Sequence, residues 1–187
     1  ENNLDLLSDI IDLNNVKTIL EPSCGSCEFI NLLNDKLNNN ADLSIIGIEN
    51  NETIFESVKY LNEETDNIKI YNDDYLTWNN ENIKFDLIIG NPPFYVLTKK
   101  NVDKKYYKYF DGRPNIFILF IIESLNKLDV NGILSFILPK NFLNCLYYDK
   151  TREYINNNFT ILNIIDCNHK FLETGQETII IIIKNEK

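Results

Sequence analysis

The tetrapeptide Asn91-Pro92-Pro93-Phe94 is the part of the sequence whose residue types point most directly to a chemical task. The Asn91 side-chain oxygen and the Pro92 carbonyl are two hydrogen-bond acceptors, and the proline rings fix the direction of that carbonyl. Two fixed acceptors could bind both N–H groups of an exocyclic amine such as N6 of adenine, and so return electron density to its nitrogen. Phe94 could stack on a base that has left its duplex. A plain turn that ends a strand is the alternative for these four residues.

Three other polar segments follow strand-like apolar runs. The first is the loop Glu21-Pro22-Ser23-Cys24-Gly25-Ser26-Cys27, whose small residues would let a ligand approach the backbone beside a helix N-terminus. The second is Glu49, whose carboxylate could accept hydrogen bonds from both hydroxyls of a ribose. The third is Asp74, followed by Tyr75, where a carboxylate could meet an adenine amino group. Each segment alone is also compatible with a solvated strand end, so their order along the chain is the stronger signal.

Alternating apolar segments must position these residues. The pattern predicts helices over residues 3–13, 28–37, 52–61, 115–128 and 149–157, and strands over residues 16–20, 43–48, 68–71, 85–89, 133–138, 159–166 and 178–184. Strand–helix alternation with nearly continuous apolar strands predicts an α/β fold, a doubly wound and mostly parallel sheet that binds ligands at the carboxyl ends of its strands. The last two strands have no helix between them and are expected to form an antiparallel hairpin.

Length and composition favour one globular domain over residues 1–187, because the chain can bury one full core. The longest apolar runs, residues 116–122 and 179–183, are too short to cross a bilayer, and no signal segment is apparent. We therefore expect a cytoplasmic protein, or one of the nucleoid or nucleus, with no membrane partner and with four cysteines that are reduced thiols.

The net charge of −10 is unusual for a protein that binds nucleic acid, but the charge is unevenly distributed. Residues 99–113 contain six basic and two acidic residues, and four aromatic residues lie among them. We expect this segment to contact phosphates through Lys104, Lys105, Lys108 and Arg113. Because few apolar anchors are apparent, we also expect it to be mobile when no nucleic acid is bound. A solvated insertion is the alternative.

Taken together, these motifs resemble those of the amino-group methyltransferases, and most closely the N6-adenine DNA methyltransferases of restriction–modification type. The resemblance extends from Thr18 to Lys184. It implies a Rossmann-like class I methyltransferase fold, S-adenosylmethionine as the cofactor, no metal, and methyl transfer to N6 of a flipped-out adenine in DNA. In that family a target-recognition domain lies C-terminal to the catalytic domain, and we expect none within this chain, so it would be a separate domain or subunit.

The resemblance also implies roles for individual residues. The methionine part of the cofactor would contact Glu21 and the loop after it, including Pro22, Ser23, Cys24 and Gly25. The ribose would contact Glu49, and the adenine would contact Asp74 and Tyr75. The target base would be held by Asn91, Pro92, Pro93, Phe94 and Phe171, the last of which begins a stretch that looks like the family's hairpin motif.

The chain departs from the family pattern at Cys27, where the loop normally has glycine. A side chain is tolerable there if the backbone angle is ordinary, so we expect ordinary angles. A thioredoxin-like dithiol is an alternative interpretation of Cys24 and Cys27. A zinc site would need a second closely spaced pair, which Cys145, Cys167 and His169 do not supply.

Three alternative functions remain open for the whole chain. A methyltransferase of the same fold could act on RNA or on a protein glutamine, because both carry a planar amino group. The chain could also be a non-catalytic partner subunit with the S-adenosylmethionine-binding fold, although its complete Asn91–Phe94 motif argues against this.

Overall fold

The computed structural model of the protein describes residues 10, 12–38, 40–79, 82–167 and 177–186. The helices are α1 (Glu28–Lys36), α2 (Glu52–Val58), α3 (Leu61–Glu64), α4 (Ile116–Lys127) and α5 (Asp149–Asn158). The strands are β1 (Thr18–Glu21), β2 (Ser44–Glu49), β3 (Ile68–Asn72), β4 (Phe85–Gly90), β5 (Leu128–Pro139), β6 (Thr160–Asp166) and β7 (Thr178–Lys184).

The strands form one seven-stranded sheet in the order β3-β2-β1-β4-β5-β7-β6. Strands β1 to β5 are parallel, and β7 pairs antiparallel with both β5 and β6. The chain moves outward from β1 to β3 and then returns to place β4 beside β1. The sheet therefore has its switch point between β1 and β4, where ligands bind in open α/β sheets. The predicted fold class and the C-terminal antiparallel hairpin are confirmed.

The apolar residues of the strands alternate between two cores, one on each face of the sheet. In β1, Ile19 belongs to the core that includes α1, whereas Leu20 belongs to the core that includes α4. This is the period-two alternation of a strand that is covered on both faces. Nine of the twelve residues of α4 are buried, so this helix is covered on nearly every side.

The basic segment, residues 99–113, packs against α4 and α5, because the Tyr106 hydroxyl donates a hydrogen bond to Glu123 of α4 and the Tyr109 ring lies 4.7 Å from the Tyr154 ring of α5. Its apolar residues Val102, Tyr106, Tyr109 and Phe110 are all buried in the α4 core. The expectation that this segment has few apolar anchors is therefore wrong. Its aromatic side chains are packed into the protein core, and only Tyr107 among them is partly buried.

Two elements differ from the prediction by more than a few residues at an end or in continuity. Strand β5 begins at Leu128, directly after α4, because Leu128 pairs with Phe85 before a register shift. The predicted helix over residues 52–61 is divided into α2 and α3 by a turn. Most of the predicted helix over residues 3–13 lies outside the described residues. Within the described part of the chain, every helix is too short or too polar to cross a membrane.

Candidate active site

The loop after β1 is tied to the neighbouring strand β2 by its backbone. The Cys24 amide donates a hydrogen bond to the Ile48 carbonyl at 2.9 Å, and the Cys27 amide donates to the Cys24 carbonyl at 2.7 Å. Gly25 lies between them with a φ of 50°, which a glycine adopts without strain. The loop is therefore a compact turn that ends at the N-terminus of α1.

Cys27 also has a left-handed backbone, with φ of 61°. The expectation of ordinary angles there is therefore wrong, and the position is one that favours the glycine of the family pattern. The side chain is fully buried in the α1 core, whose contacts offset part of the cost. A hydrogen bond between the two thiols raises the pKa of Cys24 and lowers the pKa of Cys27.

Glu21 ends β1 with a carboxyl group that is buried next to Gly90 of β4. Among the described residues, its Oε2 atom has no hydrogen-bond partner. Burial raises the pKa of Glu21 well above its ordinary value, and the nearby Cys27 and Glu28 raise it further. Buried polar atoms are rarely left unpaired in folded proteins, so this oxygen suits a cationic ligand. S-adenosylmethionine carries a sulfonium and an ammonium group, and the site fits it in this respect.

The Glu49 carboxylate at the end of β2 is oriented by two backbone amides. Its Oε2 accepts from Gly25 N at 2.9 Å and its Oε1 accepts from Asn51 N at 2.7 Å. Gly47 allows the loop to come this close, because a Cβ there would lie 3.0 Å from Cys24 Sγ in the loop. Each carboxylate oxygen can accept a second hydrogen bond, so the pair is preorganised to bind two adjacent hydroxyls.

Asp74 and Tyr75 follow β3 but point to different places. Asp74 Oδ1 accepts from the Leu76 amide at 3.0 Å, which holds the carboxylate at the mouth of the site. Tyr75 is buried, its ring lies 5.0 Å from that of Phe120, and its hydroxyl is 2.9 Å from Ser124 Oγ. Burial raises the pKa of Tyr75, so its hydroxyl belongs to the core while its ring borders the site.

Asn91 is exposed at the end of β4, and Pro92 behind it is buried. The Ser23 hydroxyl donates a hydrogen bond to the Asn91 carbonyl at 3.1 Å, which joins the loop after β1 to the motif after β4. The Phe94 ring is half-buried and packs edge-on against Phe117, with centroids 6.0 Å apart. The motif is thus fixed both to the neighbouring loop and to the core.

A cavity of about 280 Å³ lies at the carboxyl edge of β1 to β4. This volume is near the lower bound for small-molecule sites, about 300 Å³. Its lining consists of Pro22, Ser23, Glu49, Asn50, Asp73, Asp74, Tyr75, Asn91, Pro93, Tyr95, Ile116 and Phe120. The structure thus brings together residues predicted from all four strand ends.

Five of the lining residues were not predicted as site residues, namely Asn50, Asp73, Tyr95, Ile116 and Phe120. Ile116 and Phe120 are one helical turn apart on α4, and in a helix that is apolar all round they cannot be distinguished from core residues by spacing. Asn50 and Asp73 directly adjoin predicted acids, a signal that could have identified them.

The predicted phosphate contacts lie away from this cavity or are already engaged. Lys105 Nζ is 2.6 Å from Glu123 Oε1, and Glu123 also accepts a hydrogen bond from the Tyr106 hydroxyl. Glu123 is seven residues beyond Ile116 on α4, on the order of 10 Å along the helix. Lys108 lies over the Tyr109 ring at 4.9 Å, whereas Lys104 and Arg113 are exposed.

Two further predictions fall partly outside the described residues. Phe171 lies outside them, so its place at the site stays a prediction. His169, which was considered only as a zinc ligand, also lies outside them. Within the described residues, no three histidine, cysteine, aspartate or glutamate side chains are grouped so that they could hold a metal ion.

The sequence profile of the Eco57I restriction-modification methylases matches residues 14–172. The chain belongs to this family. The modification methylase CviBIII of Paramecium bursaria Chlorella virus NC1A is 32% identical over 170 residues, which are 90% of this chain and 43% of that protein. The type II methyltransferase M.AccI of Acinetobacter calcoaceticus is 31% identical over 157 residues, 80% of this chain and 28% of that protein. The chain thus spans less than half of the length of each relative.

Solved structures share the fold at low sequence identity. A Listeria monocytogenes protein assigned to the class I S-adenosylmethionine-dependent methyltransferases superposes with a TM-score of 0.84 at 18% identity, over 100% of this chain and 58% of that chain. The N-methyltransferase NodS of Bradyrhizobium japonicum, solved with S-adenosyl-L-homocysteine, gives 0.62 at 14% identity, over 98% of this chain and 85% of that chain. The fold is that of class I methyltransferases, which excludes the thioredoxin-like alternative, and the cofactor of this Eco57I-family chain is S-adenosylmethionine.

Proposed function

We propose that this chain is the catalytic domain of a DNA methyltransferase that transfers a methyl group from S-adenosylmethionine to N6 of a flipped-out adenine. One observation carries the proposal: Asn91 and Pro93 line the same cavity as Glu49 and Asp74. The residues proposed to bind the cofactor nucleoside therefore line the same cavity as Asn91, the proposed side-chain acceptor for the target amine. Membership of a restriction-modification methylase family supports DNA as the substrate.

In this proposal, residues at different strand ends bind different parts of the cofactor. Glu49 binds the ribose hydroxyls, because two backbone amides already hold its carboxylate in place. Asp74 accepts from the adenine amino group, with Tyr75 as part of the wall beside it. The methionine end lies toward Glu21 and the loop through Pro22, Ser23, Cys24 and Gly25. The Glu21 Oε2 atom, which has no hydrogen-bond partner within the described part of the chain, would pair with a positive charge of the cofactor.

Asn91 and Pro92 bind the target amine. The Asn91 side-chain oxygen and the Pro92 carbonyl each accept one N–H, which concentrates the lone pair on nitrogen. S-adenosylmethionine, when bound, would supply the methyl group: the N–C bond to the target amine would form as the C–S bond breaks, with S-adenosylhomocysteine as the leaving group. The methylated nitrogen is acidic and loses its extra proton to solvent, so no general base of matched pKa is required.

The remaining substrate contacts rest on the sequence motifs. Phe94 provides a ring for the flipped base, and Phe171 would provide a second. Lys104, Lys108 and Arg113 contact phosphates, whereas Lys105 serves mainly to pair with Glu123. Sequence recognition belongs to a separate target-recognition domain or subunit.

The substrate class is tested by methyl transfer from tritiated S-adenosylmethionine to DNA, RNA and protein in parallel. We expect label in DNA, released as N6-methyldeoxyadenosine after nuclease digestion. Label in RNA or in glutamine would replace the DNA assignment by one of the two enzymatic alternatives. Cofactor binding without any transfer would favour the non-catalytic partner subunit.

The cofactor residues are tested by calorimetry with S-adenosylhomocysteine. Glu49→Ala removes both ribose acceptors and the support of the Gly25 amide, so we expect at least a tenfold loss of affinity, about 1.4 kcal/mol. Glu52→Ala is the matched control, because Glu52 is an exposed glutamate three residues away on α2. Equal affinities for the two variants would show that Glu49 does not bind the ribose.

A further inference from the structure

Tyr95 follows the Asn91–Phe94 motif on a segment whose backbone is fixed on both sides. The Tyr95 carbonyl accepts from the Ile116 amide at 2.9 Å, and the Leu97 amide donates to the Pro114 carbonyl at 2.8 Å. These two bonds form a short antiparallel bridge between the segment and the residues that lead into α4. The direction of the Tyr95 side chain is thus set by the fold.

Phe94 and Tyr95 have different environments, as successive residues of an extended segment do. Phe94 packs against Phe117 in the α4 core, whereas Tyr95 lines the cavity and is 51% exposed. The other aromatic side chains among the described residues of the lining, Tyr75 and Phe120, are at most 5% exposed. Tyr95 is therefore the aromatic ring that loses the most exposure when the cavity is filled.

The neighbours of Tyr95 indicate which part of a ligand it meets. Asp74 and Tyr95 line the same cavity, and the pKa of Tyr95 is raised by burial and by the charge of Asp74. Asp74 is the proposed acceptor for the adenine amino group, whereas the methionine end lies toward Glu21. The cavity also contains the apolar side chains of Ile116 and Phe120, which suit a flat heteroaromatic ring.

We propose that Tyr95 is a cofactor-binding residue whose ring covers the purine of S-adenosylmethionine at the mouth of the cavity. This inference rests on the cofactor part of the proposed function and is independent of the methyl acceptor. A half-exposed ring that becomes buried against a purine contributes apolar burial and stacking. Both contributions require the aromatic ring, and neither requires the phenol hydroxyl.

The test is isothermal titration calorimetry with two ligands, S-adenosylhomocysteine and methylthioadenosine, the second of which keeps the purine and ribose but lacks the amino acid. For Tyr95→Ala we expect affinity for both ligands to fall by the same factor, about tenfold. Tyr95→Phe should retain the affinity of the unmodified chain, and Tyr95→Leu should fall between. Tyr60→Ala is the control, because Tyr60 is 47% exposed and does not line the cavity.

Each outcome bears on the inference. Equal losses for both ligands support it, and circular dichroism of each variant shows that the fold is retained. A loss for S-adenosylhomocysteine alone would place Tyr95 at the amino-acid end and overturn it. Unchanged affinities in Tyr95→Ala and Tyr95→Leu would overturn it while leaving the cofactor site intact. Failure of the unmodified chain to bind either ligand would overturn the cofactor site as well.

Discussion

The Ser23 hydroxyl donates a hydrogen bond to the Asn91 backbone carbonyl at 3.1 Å. Ser23 follows β1 and Asn91 follows β4, so this bond joins the two strands on either side of the switch point. Both residues also line the cavity. The bond therefore fixes the peptide that carries the proposed amine acceptor relative to the loop that is proposed to hold the cofactor.

Removing this bond should affect catalysis more than cofactor binding. We expect Ser23→Ala to lower the free energy of unfolding by about 1 kcal/mol, the usual value of one hydrogen bond. Methyl transfer should slow by roughly tenfold, because misplacement of a reacting group reduces rate steeply. The comparison is Ser57→Ala, whose exposed hydroxyl donates to the Ile54 carbonyl on α2. Equal turnover in the two variants would contradict a positioning role for Ser23.

The buried Glu21 predicts a pH dependence of stability in the absence of cofactor. Its pKa in the folded chain is raised above the ordinary value of 4.5, mainly by burial. Below pH 4.5 the group is protonated in both the folded and the unfolded chain, so it imposes no penalty. As the pH rises above 4.5 the unfolded chain releases the proton first, and the free energy of unfolding falls until the raised pKa is reached.

Glu21→Gln removes this titration. In urea unfolding between pH 4.5 and pH 8, the variant should therefore become steadily more stable relative to the unmodified chain as the pH rises. Glu153→Gln, on the exposed side of α5, should show no such trend. Calorimetric binding of S-adenosylhomocysteine should release protons from the unmodified chain only, because the ligand ammonium favours the ionised carboxylate. A stability difference that shrinks with rising pH would refute this account.

The polar residues at the strand ends could be predicted from sequence because each of them follows an apolar run that is itself recognisable as a strand. Glu21, Glu49 and Asn91 each follow an apolar run, and the apolar run defines the strand whatever the polar residue does. A parallel sheet then brings those ends to one edge, so the position of each residue along the chain determines its place in the site.

The basic segment could not be predicted in this way. Tyr106, Tyr109 and Phe110 lie between lysines, and composition does not show which side of a short irregular segment faces the protein. The sequence of α4 shows that the helix is apolar on nearly every side, but it does not show that residues 99–113 pack against it. Tyr95 was missed for a related reason, because its exposure at the cavity depends on a bridge between two segments distant in sequence.

Cys27 allows a test of the left-handed turn. Cys27→Ala keeps the backbone cost of a side chain at positive φ and loses the buried thiol, whereas Cys27→Gly loses the thiol but removes that cost, about 1 kcal/mol. We expect the glycine variant to be the more stable of the two by about 1 kcal/mol in chemical denaturation, and to retain cofactor affinity. An alanine variant at least as stable as the glycine variant would mean that the turn relaxes to ordinary angles.

Asn91 distinguishes transition-state stabilisation from cofactor binding. Its side-chain oxygen is proposed to accept from the target amine, and the strength of that bond increases as the nitrogen becomes tetrahedral and positively charged. We expect Asn91→Ala to reduce turnover by roughly 10²–10³-fold, the usual effect of losing one preorganised polar partner. Affinity for S-adenosylhomocysteine should change little in calorimetry.

Two further variants distinguish the loss of the Asn91 acceptor oxygen from a general effect of replacing an asparagine. Asn91→Asp keeps acceptor oxygens in nearly the same place, so it should retain part of the turnover that alanine loses. Asn157→Ala, an exposed asparagine on α5, should retain all of it. Single-turnover assays with saturating S-adenosylmethionine measure the chemical step directly, so that slow product release cannot conceal a difference. Full methyl transfer by Asn91→Ala would exclude the proposed acceptor role, and with it the reason for assigning an amino group as the target.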